Sequence, residues 1–350
     1  MATRKSGDSI EITRAELESS AVTAAVERAK EAAQVPLRRE VGAADLTKGF
    51  NTGAQLVKTA ALGVLGSLAY WAVFELVWGS LYFTMELPLR GFIDGALQTS
   101  LLCMAIVALQ AFEEQSVEKF FRMATVALPL AVVLGAISGL LGELIYKELS
   151  QGNSWSGGFD QIRAIAWALT CLGVGITLGV AYRSVQKLLN GLLGGAIGGA
   201  IGGGIFNMVY VAVGSSDTGV VSRLVGFLVF GAVVGAAIGL ADAVRKNLWL
   251  QIATGGMAGK QFIVYQQNAV LGSSASADIT LIKDPEIAGM HVRLNQKSGG
   301  TTFEVLEGAS DVLLNGEAAR RGKLSDGVLL QVGGTVLQFG EKNVEMPTIA

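Results

Sequence analysis

A Gly-rich bundle of about six transmembrane helices followed by an all-β sandwich is the fold class that this 350-residue sequence predicts. Three observations carry that expectation. The chain is 51% hydrophobic and only 16% charged, with a mean hydropathy of +0.48, whereas a soluble globular chain carries about 25% charged residues. Its apolar residues gather into runs close to the ~20 residues that cross a hydrocarbon core of ~30 Å. Beyond Arg245-Lys246 the runs become short and alternating, which is strand patterning.

The same composition sets exclusions. It is incompatible with intrinsic disorder and argues against an ordinary cytosolic enzyme. The 46 glycines, about one residue in eight against a usual ~7%, imply closely packed helices. With 5 prolines and no Gly-X-Y period, collagen-like structure is excluded, and a net charge of −2 makes no case for nucleic acid as a partner. Cys103 and Cys171 sit inside apolar runs, so they read as free buried thiols rather than a disulfide framework.

Residues 1–55 read as a cytoplasmic N-terminal segment. Thr13-Arg14-Ala15-Glu16 resembles a capping box that would open a weakly amphipathic helix reaching about Gln34, before Pro36. There is no apolar h-region before about Phe50, so the first apolar run is expected to act as the insertion signal.

Residues 56–244 divide into six runs: Leu56–Trp78, Gly91–Phe112, Met123–Tyr146, Ile162–Tyr182, Leu188–Val213 and Val220–Val244. Short loops between them imply three antiparallel hairpins. Lys/Arg residues before the first span, together with Lys119, Arg122, Arg183, Lys187, Arg245 and Lys246, outnumber Arg90, Lys147, Arg163 and Arg223 on the other side. Both termini are therefore expected to face the cytoplasm, in a multi-pass protein of the cell membrane. The fourth and sixth spans align at an offset of 60 residues, with Arg163, Trp167, Gly175, Gly179 and Ala181 meeting Arg223, Phe227, Gly235, Gly239 and Ala241. Duplication of a hairpin and chance alignment of Gly/Ala/Leu-rich helices both remain open readings.

In the fifth span Gly191, Gly195, Gly199 and Gly203 form one four-residue series, and Gly194, Gly198 and Gly202 form a second. Each series makes a stripe without side chains on one helix face, where another backbone can approach closely. Packing against spans four and six is the plainer reading; a homo-oligomeric interface or a pore wall is the sharper one. Glu75 and Glu143 are membrane carboxylates, and Lys147 and Arg163 are their expected partners. Asn190 and Asn207 are expected to hydrogen-bond between helices. The rest of the midplane reads as apolar, so transport is the secondary class of function.

Residues 246–345 contain nine short apolar or β-branched runs: Leu248–Ile252, Gln261–Gln266, Ala269–Leu271, Ile279–Ile282, His291–Leu294, Thr301–Leu306, Val312–Leu314, Val328–Val332 and Thr335–Phe339. Turns such as Thr254-Gly255-Gly256, Asn315-Gly316, Asp326-Gly327 and Gly333-Gly334 separate them. That spacing predicts an antiparallel sandwich.

Leu271-Gly272-Ser273, Ala277-Asp278-Ile279-Thr280-Leu281, Ile287-Ala288-Gly289-Met290-His291-Val292-Arg293-Leu294, Leu314-Asn315-Gly316-Glu317 and Leu324–Gly333 follow in the order and spacing of a forkhead-associated (FHA) domain. The segment resembles that family from about Trp249 to Glu341. The resemblance implies binding of phosphothreonine peptides by loops at one end of the sandwich, and a cytosolic protein or phosphoprotein as partner. It makes Ser273, Ser274, Ala288, His291, Arg293, Ser310 and Asn315 the candidate peptide face. Three departures weaken the phosphate site: Ser273 stands for the family's Arg, Ala288 for its Ser, and Ser310-Asp311-Val312 for its Asn-Gly-Thr. His291 then reads as a brace for the loops. No P-loop, nucleophile–His–acid set or Cys/His metal spacing is present in the sequence, so neither an enzyme nor a cofactor is expected. The bilayer and the protein partner are the expected contacts, with a channel or transporter under control of the FHA-like domain as the alternative function.

Overall fold

In the computed structural model, residues 50–82, 84–151, 158–213, 219–297 and 300–342 are described; the expected N-terminal helix lies outside them, as do parts of the turns around 152–157, 214–218 and 298–299. The apolar region folds as α1 (Thr52–Val73), a π-helical segment (Phe74–Trp78), a short α2 (Gly79–Tyr82), α3 (Leu87–Glu113), α4 (Val117–Ser150), α5 (Gln161–Ala181), α6 (Val185–Val213) and α7 (Val220–Arg245). All but α2 belong to the six helices that are long and apolar enough to cross a membrane. Side chains set several of the starts. Asn51, Ser116 and Asp160 accept from the backbone N–H three residues on, at Ala54, Lys119 and Arg163, and so satisfy donors a helix leaves unpaired. Glu86 supplies no such bond, and Pro88 in the first turn of α3 needs none.

The helices close a ring in the order α1, α3, α4, α5, α6, α7 and back to α1. The α3–α4 and α5–α6 contacts are the most extensive, and α7 packs as extensively on α6 as on α1, whereas the expected α1–α3 hairpin is the loosest contact of the ring. Small residues explain the close pairs. A Cβ on Gly95 or Gly139 would meet backbone of the opposite helix at 2.2 Å or 2.3 Å, and one on Gly63 would meet Gly231 O at 1.9 Å. Along α6, Gly191, Gly195, Gly199 and Gly203 face α5, touching Gly175, Cys171 O, Trp167 O and Arg163 O. On the neighbouring stripe Gly194, Gly198 and Gly202 face Ile238, Val234 and Phe230 of α7. Backbone contact of this kind brings helices together where lipid gives no hydrophobic reward for association.

The C-terminal strands form two sheets. One has the order β2-β1-β11-β10-β7-β8 and the other β4-β3-β5-β6-β9. In the first, β1 (Leu248–Ile252) pairs with β2 (Gln261–Ile263) and β11 (Thr335–Glu341), and β10 (Leu329–Val332) joins β11 to β7 (Val312–Leu314), which turns into β8 (Glu317–Ala319). In the second, β3 (Asn268–Gly272), β5 (Val292–Lys297), β6 (Gly300–Val305) and β9 (Arg321–Leu324) are antiparallel, while β4 (Ile279–Thr280) runs parallel to β3. The wholly antiparallel expectation is corrected at that one pair. Alternating residues of both sheets, among them Leu248, Leu250, Ile252, Val292, Leu294, Phe303, Leu337 and Phe339, make one buried core.

Candidate peptide-binding face and bundle contact

The loop end of the sandwich is built around His291, which is buried. Its Nδ1 accepts from Ala288 N–H at 3.0 Å, so its Nε2 carries the proton and donates to Ser310 O at 2.9 Å. One ring thereby ties the β4–β5 loop to the β6–β7 loop. The β3–β4 loop joins them through Ser273, whose N–H donates to Ala288 O at 3.0 Å and whose Oγ donates to Ile287 O at 2.8 Å. Ser274 N–H donates to Gly289 O at 3.0 Å. Close approach requires glycine here, because a Cβ on Gly272 would stand 2.1 Å from Gly289 O. Ser273, Ser274, Ala288, His291 and Ser310 are therefore neighbours, and Met290 beside them exposes its side chain.

Two candidate residues lie apart. Arg293 is exposed between buried Val292 and Leu294, opposite Glu304 on β6, on the outer face of its sheet. Asn315 stands at the far end of the three-residue β7 from Ser310; with φ of 50°, followed by Gly316 at 95°, it makes the β7–β8 turn. Its Oδ1 accepts from Leu329 N–H at 3.1 Å.

Charge at the loop end is internally matched. Arg320 donates to Asp311 at 2.5 Å and to Ala309 O at 3.5 Å. The hydroxyl of Ser273 is spent within the loops, and Ala288 has none. A phosphate dianion needs fixed cations or several free donors; this loop end offers Ser274 and backbone groups.

The opposite flank of the β3–β4 loop is held by the bundle. Lys119 donates to Glu114 at 2.5 Å, to Asp278 O at 2.6 Å and to Ala277 O at 3.2 Å. Glu114 accepts from Thr280 N–H at 2.9 Å and from Gln110 at 2.8 Å. Both ionic side chains are almost wholly buried, 2% and 0% exposed. A second contact joins the α5–α6 turn to the β2–β3 segment: Ser184 donates to Tyr265 O at 2.9 Å, and Gln266 to Tyr182 O at 2.8 Å. Lys187, paired with Asp242, lies over the rings of Tyr182 and Tyr265. Asn190 donates to Asp242 at 2.9 Å and accepts from Arg245 at 2.8 Å. Burial, then the nearby Asp242 carboxylate, pushes the Tyr265 phenol well above its usual pKa. Lys260, which donates to Glu113 O, is pulled below the usual lysine range by desolvation against the opposing effect of Glu113.

Asn190 hydrogen-bonds between helices as expected, but the other contacts rest on residues that sequence reasoning did not single out. Glu114 reads as a loop acid, and Lys119 and Lys187 as charges on the cytoplasmic side. The available signal was an acid five residues before a lysine at the edge of an apolar run. The membrane carboxylates also find other partners than expected. Glu75, in the π-helical segment, binds Arg223 through two hydrogen bonds of 2.6 Å and 3.1 Å, and Glu143 binds Arg90 at 2.6 Å. Those arginines lie on the helices packed against each carboxylate, whereas the expected Lys147 and Arg163 do not pair with them.

No family model matches the chain, and no curated protein does. Similar solved structures, aligned with the C-terminal strands, include FHA domains. One, from work on phosphothreonine-dependent FHA interactions, is 15% identical with a TM-score of 0.26, covering 28% of this chain and 100% of its own. The FHA domain of a Chlamydia trachomatis protein is 20% identical with a TM-score of 0.26, over 28% and 100% of the two chains. The cytoplasmic domain of the sorting-platform protein PscD from P. aeruginosa is 22% identical with a TM-score of 0.25, over 29% and 85%.

Proposed function

We propose that this chain is a membrane-embedded recruitment protein that presents its FHA-like sandwich, within residues 246–345, to a cytosolic protein partner through the loops around His291, and that recognition does not depend on phosphate. The segment 56–244 would be the membrane domain and 1–55 a cytoplasmic lead-in, with both termini in the cytoplasm. One observation carries the reading: of the positions where the resemblance implies phosphate ligands, Ala288 has no hydroxyl and the Ser273 hydroxyl is spent on Ile287 O. What remains accessible is a braced loop surface with Met290 exposed at its edge. Such a surface suits protein contact through packing and backbone groups. The role is recruitment or sensing rather than catalysis.

The test uses the full chain in lipid nanodiscs as bait for a cell lysate, with and without phosphatase treatment. Partners retained after phosphatase and lost on Met290→Asp support the reading. Partners lost after phosphatase would show phosphate-dependent recognition and overturn it. Orientation has its own test: a cysteine introduced at Ser325 should stay unlabelled by an impermeant maleimide in intact cells, and labelling would reverse the topology.

A further inference from the structure

The end of the bundle remote from the sandwich holds a cavity of about 250 Å³, lined from all six long helices or their extensions. Tyr70, Phe74, Tyr82, Trp167, Phe206 and Phe227 supply aromatic walls, and Arg90, Arg163 and Arg223 face it together with Asp94 and Glu143.

The three arginines belong to a repeated arrangement. Each lies in the first turn of α3, α5 or α7, and each of those helices packs on a glycine-bearing partner: α4, α6 or α1. Gly139 meets Gly91 O, and Gly203 meets Arg163 O; four residues beyond them come Glu143 and Asn207. Likewise Gly63 meets Gly231 O, and Gly195 meets Cys171 O, sixty residues earlier in the alignment of α5 with α7; twelve residues beyond come Glu75 and Asn207. Glu143, Glu75 and Asn207 thus occupy one level on three equivalent helices. The first two hold Arg90 and Arg223, while the third has no carboxylate to offer Arg163.

Arg163 is left with Asp160, 3.5 Å from its Nε. That carboxylate is already engaged on both oxygens: Oδ1 accepts from Arg163 N–H and Oδ2 from the Asn207 amide, each at 2.9 Å. Among the described residues, the buried Nε atoms of Arg163 and Arg90 have no hydrogen-bond partner. The faces of Tyr146, Trp167 and Phe206 surround the Arg163 guanidinium at 5.4–5.7 Å and fix it in place. By contrast Asp94 is held by the Tyr70 hydroxyl and Glu143 by Arg90. The Arg163 and Arg90 side chains are 23% and 22% exposed, but a buried Nε–H without an acceptor is costly, and an oxyanion in the cavity would supply one.

We infer that this cavity is a binding site for a phosphate-ester anion, with Arg163 as its principal ligand and Arg90 as its second. The cavity lies near the helix ends, which in a bilayer is the depth of the headgroups. The phosphate ester is therefore either that of an anionic phospholipid or that of a small soluble molecule.

The full chain is placed in nanodiscs of phosphatidylcholine alone or with phosphatidylglycerol, and retained lipids are counted by native mass spectrometry; glycerol 3-phosphate is titrated calorimetrically into the phosphatidylcholine discs. Saturable binding of either probe is expected. Retained phosphatidylglycerol assigns the lipid source, and a calorimetric isotherm assigns the soluble one. Arg163→Gln should weaken binding by roughly ten-fold or more, the loss of one charge-assisted bond. Asn207→Glu supplies the missing third carboxylate, in exchange for the bond that Asn207 donates to Asp160, and should do the same, with size-exclusion chromatography checking that the chain stays folded; Arg321→Gln, on the exposed sandwich surface, should leave binding unchanged. Absence of saturable binding of both probes to the wild-type chain, or binding that survives Asn207→Glu, overturns the inference.

Discussion

The two ends of the bundle use the same chemistry to opposite effect. At the sandwich end Glu114–Lys119 and Lys187–Asp242 are buried, and backbone carbonyls, an N–H, amides and aromatic rings take up their remaining valences. At the far end Arg90–Glu143 and Arg223–Glu75 are partly exposed to a cavity, and guanidinium N–H groups are left over. Saturation separates the two ends more than charge count does. A saturated buried pair fixes one arrangement of its neighbours; an unsaturated one is a place for something else to bind.

The severest way to break the comparison is to remove the scaffold common to both ends. Gly139→Leu puts a Cβ 2.3 Å from Gly91 O and 2.6 Å from Gly95 Cα, where backbone cannot yield. The α3–α4 pair should fail to close, with loss of the monodisperse species in detergent size-exclusion chromatography. Gly53→Ala, whose Cβ would meet only Asn51 Oδ1 at 3.6 Å, should behave as wild type.

Next comes the sandwich end alone. Lys119→Ala strands Glu114 as an uncompensated buried charge, a change that costs about 3–5 kcal/mol. Hydrogen exchange at Ala277–Thr280 should rise sharply while the α3–α4 contact survives. Replacing both partners, Glu114→Leu with Lys119→Met, should recover much of that loss, because the penalty lies in the unpaired charge. Exchange unaltered in the single variant would show that the sandwich is only tethered.

What could be read in the chain and what could not follows the same division. The six helices and most strands were legible because burial writes itself as periodicity: β1 begins and ends where alternation does, at Leu248 and Ile252. β8 and β9 were not, since Glu317-Ala318-Ala319 and Arg321-Gly322-Lys323-Leu324 lack an apolar rhythm and are strands only through pairing with β7 and β6. His291 could be recognised as a brace, because its neighbours fall in a familiar order. The docking pair Glu114–Lys119 could not, because its meaning depends on carbonyls of Ala277 and Asp278, more than 150 residues away. Asp94 and Asp242 hid inside runs whose average hydropathy concealed them. Lone charges there report partners only once helix neighbours are known: Glu143 and Glu75 find Arg90 and Arg223 across the α3–α4 and α1–α7 contacts.

At the cavity end a smaller effect is expected from a comparable deletion. Arg223→Gln removes both hydrogen bonds to Glu75, yet the two side chains are 22% and 16% exposed, so water reaches what is left behind. The cost should be about 1.5–3 kcal/mol, the range for a charge-assisted bond, and below that of a stranded buried ion. Thermal melts of Arg223→Gln and Lys119→Ala in the same detergent make the contrast; equal destabilisation would remove the distinction between a closed and an open end.

The smallest effect should come from Arg320→Ala. Its contact with Asp311, at 2.5 Å, is as short as Lys119–Glu114 and shorter than Arg223–Glu75. Distance would therefore rank it among the strongest pairs. Both side chains are 52% exposed, however, so solvent and salt screen the attraction, and holding two long side chains together opposes it. A loss of about 0.5 kcal/mol or less is expected, vanishing in high salt, whereas the Lys119→Ala loss should persist there. A salt-independent loss as large as that of Arg223→Gln would mean that Arg320 supports the loop end through Ala309 O, and that the peptide face depends on it.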